Sequence, residues 1–521
     1  MEIIIFLTVS PESHRTAEEN LGIEYLASNL KKTLKYEIKI INGWIEKLSN
    51  EEIVEKILNY KNVLAIGVSS YLTDIENVKE LLKIMKKLKL SKYYFAGGYG
   101  PTFSPEEYLK IGFDIACIGE SDLIIRSLIN YFSGKAKKEN IKSICYLENN
   151  KIKFNKKIRL LKNLDILPFP ERPYIEILKN EKIPFHLLTS KGCNSSCIFC
   201  SISSFYKIQD FTKWRERSLN SLISEIEELY KKGIRYIKII DDSFIEGDRD
   251  AKWCKELADK LEQKNIKINF RASIKADKVE ENIIINLKRA GFYSFSCGIE
   301  NGSDTGLKRM GKGAKIEDNI KALKIFKKYN IYVQAGFILF DYKTTLKELV
   351  ENYKFLKKYN FMILKGIFTE MYAAKGTEYS KLLIKKNIVL QEKKLNYEYK
   401  IEDEKARMVY ESLKKWHKSH MKLYDKLIDP ISAPKALNRE QYNKFYSLFR
   451  KVNKIDLNIM KIVLKKVEDG ENEEYLIKVI NNQINRYENF FKIVNKKLEK
   501  MYKENKIEYI AVENPFIMEN S

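Results

Sequence analysis

No stretch of this 521-residue chain approaches the ~18 consecutive apolar residues of a membrane-spanning helix, so no span is expected. The opening run Met1-Glu2-Ile3-Ile4-Ile5-Phe6-Leu7 lacks the basic flank of a leader and reads as a buried strand, which suggests a cytoplasmic protein. Cysteine is sparse. Seven are present and three are clustered, in keeping with a reducing compartment where disulfides are rare. Cys117, Cys145, Cys254 and Cys297 stand in apolar or helical stretches and read as core residues. Neither Cys nor His occurs between Cys200 and Cys254, so the cluster of three lacks the fourth protein ligand that normally closes a structural zinc site.

What is present is the run Cys193-Asn194-Ser195-Ser196-Cys197-Ile198-Phe199-Cys200. Three thiolates on a short loop can bind three irons of a 4Fe-4S cluster and leave the fourth iron free for a ligand other than protein. The length suggests about three domains. A hydrophobic content of 44% with 12% aromatic is ample for burial. The net charge of +24 would ordinarily point to nucleic acid or an acidic partner. Here the lysines are spread over nearly every helix beside abundant Ile and Asn, as an AT-rich coding bias would give. Nucleic acid is therefore not the expected partner, and a basic groove for RNA or an acidic peptide stands as the alternative.

Apolar strands at 2–9, 36–41, 62–70, 92–97 and 113–118 alternate with amphipathic helices near 17–33, 50–60, 73–88, 104–110 and 121–132. Strict alternation predicts a parallel, doubly wound sheet over residues 1–135, whose ligands lie at the carboxyl ends of the strands. Ser69-Ser70-Tyr71-Leu72, Gly97-Gly98-Tyr99-Gly100 and Gly119-Glu120 fall there, small enough for a flat ligand to lie on the backbone. Residues 136–178 read as a linker, with a hairpin from Ile144 to Phe154 turning at Asn149-Asn150 and a stiff segment around Pro168 and Pro170. Six further βα units over 179–378, with strands at 183–189, 234–240, 266–271, 293–299, 332–339 and 364–371, suggest an open (β/α)6 barrel. The cluster loop follows its first strand. Asp241 and Asp242 follow the second, Arg271 ends the third and Glu300 lies near the end of the fourth. Residues 379–521 read as a helical domain, in which His417 and His420, three apart, offer either a metal pair or a solvated face.

The CxxxCxxC spacing with Phe199 before its last cysteine, and the order of the barrel that follows, resemble the radical S-adenosylmethionine (radical SAM) superfamily. The first domain is similar to the cobalamin-binding, Rossmann-like domain of its cobalamin-dependent members. Asn20-Leu21-Gly22-Ile23-Glu24-Tyr25-Leu26 and Cys117-Ile118-Gly119-Glu120-Ser121 fall in register with that domain, Ser70 and Leu72 match an SxL element, and Gly97-Gly98 matches a GG element.

The resemblance implies an α/β chain of three parts: cobalamin domain, partial barrel and helical domain. It implies a 4Fe-4S cluster on Cys193, Cys197 and Cys200, with S-adenosylmethionine on the free iron. It places Asp241 or Asp242 at the amino group, Arg271 and Glu300 at the carboxylate and ribose, and Phe199 near the adenine. Ser70, Leu72, Gly97, Gly98, Gly119 and Glu120 would meet cobalamin. The DxHxxG histidine that ligates cobalt in other corrinoid proteins is absent, and His14 does not match it. Where relatives carry a Gly-Pro turn after the fifth strand, this chain has Phe340-Asp341-Tyr342, so Asp341 and Tyr342 are expected to shape the substrate side. Tyr372 is a candidate near the radical.

The expected enzyme cleaves S-adenosylmethionine to a 5'-deoxyadenosyl radical and transfers a methyl group from methylcobalamin to an unactivated centre. Its partners would be a flavodoxin- or ferredoxin-type electron donor and a small-molecule or peptide substrate: a natural-product intermediate, a ribosomal peptide, or a tetrapyrrole or lipid precursor. The alternatives are cyclisation, oxidation or rearrangement without methyl transfer, and a non-catalytic corrinoid or redox sensor. A methylthiotransferase is disfavoured by the lack of a second cysteine triad.

Overall fold

The computed structural model describes residues 1–10, 19–33, 36–209, 214–432 and 437–507. The first sheet has seven strands: β1 Ile3–Thr8, β2 Glu37–Asn42, β3 Val63–Ser69, β4 Tyr93–Gly97, β5 Ile115–Cys117, β6 Ile144–Glu148 and β7 Lys151–Phe154. Their order is β2-β1-β3-β4-β5-β6-β7; the first five are parallel and the last two antiparallel. All six residues of β1 are buried, because helices cover both faces of the sheet and each face has its own apolar core. The helix Asn50–Leu58 shows how local sequence sets an element. Ser49 Oγ accepts from Glu52 N at 3.2 Å, Glu52 Oε2 accepts from Ser49 N at 2.7 Å, and Ile53, Val54 and Ile57 face the sheet. The hairpin at Asn149-Asn150, read from sequence as part of a linker, adds β6 and β7 to this sheet, with both turn residues at positive φ.

The barrel strands are β8 Phe185–Leu187, β11 Tyr236–Ile239, β12 Asn269–Lys275, β13 Phe292–Glu300 and β14 Tyr332–Phe337, all parallel. Between the first two, β9 Ser190–Gly192 pairs antiparallel with β10 Trp214–Glu216. The sixth position, expected as a strand over 364–371, is held only by isolated bridges from Gln334 to Ile363 and from Phe340 to Glu370. β8 and β14 are the edges of the five-stranded sheet, which gives an open barrel.

A short hairpin, β15 Val389–Glu392 with β16 Tyr397–Tyr399, follows the barrel, and long helices Glu404–Lys418, Met421–Ser432, Arg439–Glu468 and Glu473–Glu504 complete the chain. These helices share one apolar core with the barrel. His420 is neither solvated nor half of a metal pair. It is 5% exposed, and Asp456 gathers its Nε2 at 3.2 Å, Trp416 Nε1 at 2.8 Å and the Tyr424 hydroxyl. No helix among the described residues is long and apolar enough to cross a membrane.

Candidate functional site

Leaving β8, the chain forms β9, then the loop Cys193–Cys200, then the helix Ser201–Gln209. Cys193, Cys197 and Cys200 line one cavity of about 500 Å³ inside the barrel. Burial raises all three thiols above their ordinary range, Cys197 to about 11, so they stay protonated until a cation takes up their charge. Among the described residues no three Cys, His, Asp or Glu close on a single ion. A cluster in which each thiolate takes a different iron makes no such demand, and the triad fits it.

Two lysines stand around the triad. Lys275, the last residue of β12, donates to Ser195 Oγ at 3.0 Å and reaches Glu246 Oε1 at 2.8 Å, while the Cys193 thiol donates to the same Glu246 oxygen at 3.8 Å. Lys312 donates to Glu300 Oε1 at 3.0 Å. Burial opposes its charge, but Glu300 and Cys197 more than offset that and raise its pKa. Glu300 itself sits at φ 59° in a glycine cradle: a Cβ on Gly298 would lie 2.6 Å from its Oε1, and one on Gly336 would lie 3.1 Å from its Oε2.

Of the two aspartates after β11, Asp242 lines the cavity and Asp241 does not. Asp241 is taken up by Thr189 N at 2.7 Å, Ser190 Oγ at 2.6 Å, Arg249 Nη1 at 3.4 Å and the Thr189 hydroxyl. Asp242 Oδ2 accepts from Gly192 N at 2.9 Å and from the Tyr206 hydroxyl at 3.2 Å. Burial, helped by Asp241, pushes its carboxyl up to about 6. Phe199 is also in the lining.

Arg271 is not. The third strand runs four residues beyond its expected end, so Arg271 lies at mid-strand, bonded to Ser296 Oγ at 2.7 Å, Ser294 Oγ at 3.3 Å and Gln334 Oε1 beneath the cavity. Asp341 holds Arg309 in a fork of 2.7 and 3.0 Å and Tyr342 is buried in a small core, so neither lines this cavity. Tyr372 lines a different one.

A second cavity, about 570 Å³, opens between the carboxyl ends of the first sheet and the barrel. Ser70, Gly97, Gly98, Gly119 and Glu120 line it; Leu72 packs instead into the core beneath the sheet. Ser70 Oγ is engaged by Tyr108 OH at 2.8 Å. A Cβ on Gly97 would meet nothing nearer than Cys117 Cβ at 3.9 Å, so the backbone there borders open space. Glu120 faces Arg215 in a bidentate pair of 2.7 and 2.9 Å, and Gln209 bonds its backbone at 2.7 and 3.0 Å. Tyr99 and Phe205, 4.8 Å apart, form an aromatic wall with Tyr206. A small-residue edge facing an aromatic wall fits a broad flat cofactor such as a corrin. His186 lines the cavity with its Nδ1 3.1 Å from the Glu19 carbonyl; His14 lies outside the described residues. Asp242 and Ser273 line both cavities. Lys275, Lys312 and Tyr206 were not singled out from sequence, whereas Tyr99 lay in the strand-end run Gly97-Gly98-Tyr99-Gly100. Lys312 stands between Gly311 and Gly313, a local signal that the strand-end reading passed over.

The model of the radical SAM superfamily matches residues 187–356, and that of the B12 binding domain matches residues 14–129. An uncharacterised methyltransferase of Pyrococcus horikoshii is 28% identical over 347 residues, 65% of this chain and 73% of its own. The 4'-phospho-dehydrooxetanocin synthase of Priestia megaterium is 25% identical over 65% of this chain, an alignment that spans about half of that protein, 48%. Among solved structures, the cobalamin-dependent S-adenosylmethionine radical enzyme OxsB, with aqua-cobalamin and S-adenosylmethionine bound, superposes with a TM-score of 0.79 at 19% identity, covering 98% of this chain and 82% of its own.

Proposed function

The chain belongs to the radical SAM superfamily and carries a B12-binding domain, and from that premise we propose that it methylates an unactivated centre of a metabolite or peptide substrate. It is a cobalamin-dependent radical SAM enzyme, with a 4Fe-4S cluster, S-adenosylmethionine and cobalamin as cofactors. When bound, the cluster supplies the electron that cleaves the sulfonium, and cobalamin supplies the methyl group.

The residues provide the holding and the shielding. Cys193, Cys197 and Cys200 would hold the cluster. Lys275 and Lys312 present ammonium groups to a ligand carboxylate, a role that sequence assigned to Arg271. Asp242 and Glu300 present carboxylates to an ammonium and to ribose hydroxyls. The barrel wall excludes water from the reacting atoms, and Gly97 and Gly98 leave a corrin access to the backbone of the first sheet.

The single observation that carries this reading is that Asp242 and Ser273 belong to both cavities, so that a substrate held in the barrel has the corrin side as its neighbour. The name of the Pyrococcus relative, a methyltransferase, supports methyl transfer. The Priestia relative is named as a synthase and not as a methyltransferase, which favours a second reading, cyclisation, oxidation or rearrangement without methyl transfer. Product mass separates the two when anaerobically reconstituted, cobalamin-loaded enzyme is given substrate, reductant and S-adenosylmethionine. Methylation requires a gain of one methyl group with S-adenosylhomocysteine alongside 5'-deoxyadenosine; a product without that gain would support the second reading.

A further inference from the structure

A third cavity, about 510 Å³, lies beside the barrel and has no part in the chemistry above. Segment 370–373 of the sixth barrel position forms one wall, the β15–β16 hairpin the roof and the helix Glu404–Lys418 the far wall. Thr369 lines the thiol cavity and Glu370 lines this one, so a single extended segment separates them.

Tyr372, Tyr397, Tyr399 and Tyr410 supply ring surfaces to the lining. Four cations and three carboxylates complete its polar part. Glu398 pairs with Lys393 at 2.8 Å; Glu370 accepts from the Tyr410 hydroxyl at 2.8 Å, a neutral donor that leaves its charge in place beside that of Glu411. The cations are less committed. Among the described residues Arg407 has only Glu404 at 3.9 Å, on the exposed side of its helix, and Lys400 and Lys414 form no ion pair. Lys414 Nζ stands 5.3 Å over the Tyr410 ring. Outside the Lys393–Glu398 pair, three cations therefore face two carboxylates, an excess of one positive charge in a recess walled by tyrosines. That arrangement selects a planar group bearing an oxyanion, through ring contact and charge-assisted hydrogen bonds.

We propose that this cavity binds a ligand that joins a planar ring to an oxyanion.

The test is calorimetric titration of the cofactor-loaded full chain with 1-naphthyl phosphate under saturating S-adenosylmethionine, which keeps the probe out of the barrel, with 1-naphthol and inorganic phosphate as separate halves. Naphthyl phosphate is expected to bind at least about tenfold tighter than either half, and the Lys400→Ala/Lys414→Ala double variant to weaken it by at least about tenfold. Tyr397→Ala should weaken naphthyl phosphate and naphthol but not inorganic phosphate. No binding to the unmutated protein, or unchanged affinity in both the double variant and Tyr397→Ala, overturns the proposal. Cys193→Ala, which disables the barrel reading, should keep the Lys400- and Lys414-dependent binding. The cavity thus stands or falls apart from the radical chemistry, and loss of the probe site in Cys193→Ala would overturn it.

Discussion

Each thiol of the triad has a different place on its loop, and the further cysteine in the cavity lining, Cys297, is fixed within β13 and 1% exposed. Cys193→Ala, Cys197→Ala and Cys200→Ala should each lose most iron after reconstitution and all 5'-deoxyadenosine formation, read by iron assay and chromatography; a variant that still cleaves S-adenosylmethionine would remove that cysteine from the ligand set. Asp242 adds a pH dependence. Its carboxyl is held at about 6, above the usual aspartate value, because burial disfavours the charge. Its contribution to folding stability is therefore complete below the ordinary aspartate range and is lost as pH rises through about 6, a change on the order of 3 kcal/mol. Ligand binding runs the other way, since only the ionised form attracts an ammonium. The affinity for S-adenosylmethionine should rise between roughly pH 5 and 7.5, and Asp242→Asn should flatten both profiles, measured by equilibrium dialysis and thermal melting.

At the scale of elements, the third barrel strand shows how far sequence carries the site. Its existence, direction and place in the order are legible, because an apolar core face between two helices has few other readings. Its end is not. Ala272-Ser273-Ile274-Lys275 continues the inward–outward alternation but mixes polar with apolar residues, so read from sequence the strand ends at Arg271. A shift of four residues keeps the same face and moves the site cation from Lys275 to Arg271. Leu72 illustrates a different limit: which way a loop residue turns is decided by the core it meets, which no local spacing encodes. The two basic residues should therefore separate by experiment. Arg271→Ala removes a donor from Ser296 and Gln334 and should cost about 1–3 kcal/mol of stability with little effect on ligand affinity. Lys275→Ala should weaken S-adenosylmethionine by about 1.5–3 kcal/mol with iron content nearly kept. The two glycines ending β4 and opening its loop divide similarly. Gly98 has φ 96°, so any side chain strains it, whereas Gly97 borders open space. Gly97→Leu should abolish cobalamin absorbance in the purified protein while leaving its melting temperature nearly unchanged.

The whole molecule depends on the seam between the first sheet and the barrel, where the corrin-side cavity lies and where residues far apart in sequence meet as buried ions. Arg172 bonds Glu19 at 2.6 Å and Glu225 at 2.8 Å, Lys191 bonds Asp122 at 2.7 Å, and Arg215 clasps Glu120 across 95 positions of chain. None of these pairs was legible in the sequence, because a charged residue on a loop looks the same whether it faces solvent or another domain. The Arg215 and Glu120 side chains are 3% and 9% exposed, so removing Arg215 leaves Glu120 in a dry setting with a looser ion pair to Lys191 at 3.9 Å. Arg215→Met should cost about 3–5 kcal/mol at the seam, far more than an exposed pair would. The two sheets keep separate cores, so the cost should fall on their docking rather than on either fold, and the variant should melt in two calorimetric transitions where the parent shows one. Cobalamin, which would be gripped from both sides, adds about 2.7 kcal/mol at a hundredfold excess over its Kd and should draw the transitions back together. Two transitions that stay apart under saturating cobalamin would mean that the cofactor is held by the first domain alone.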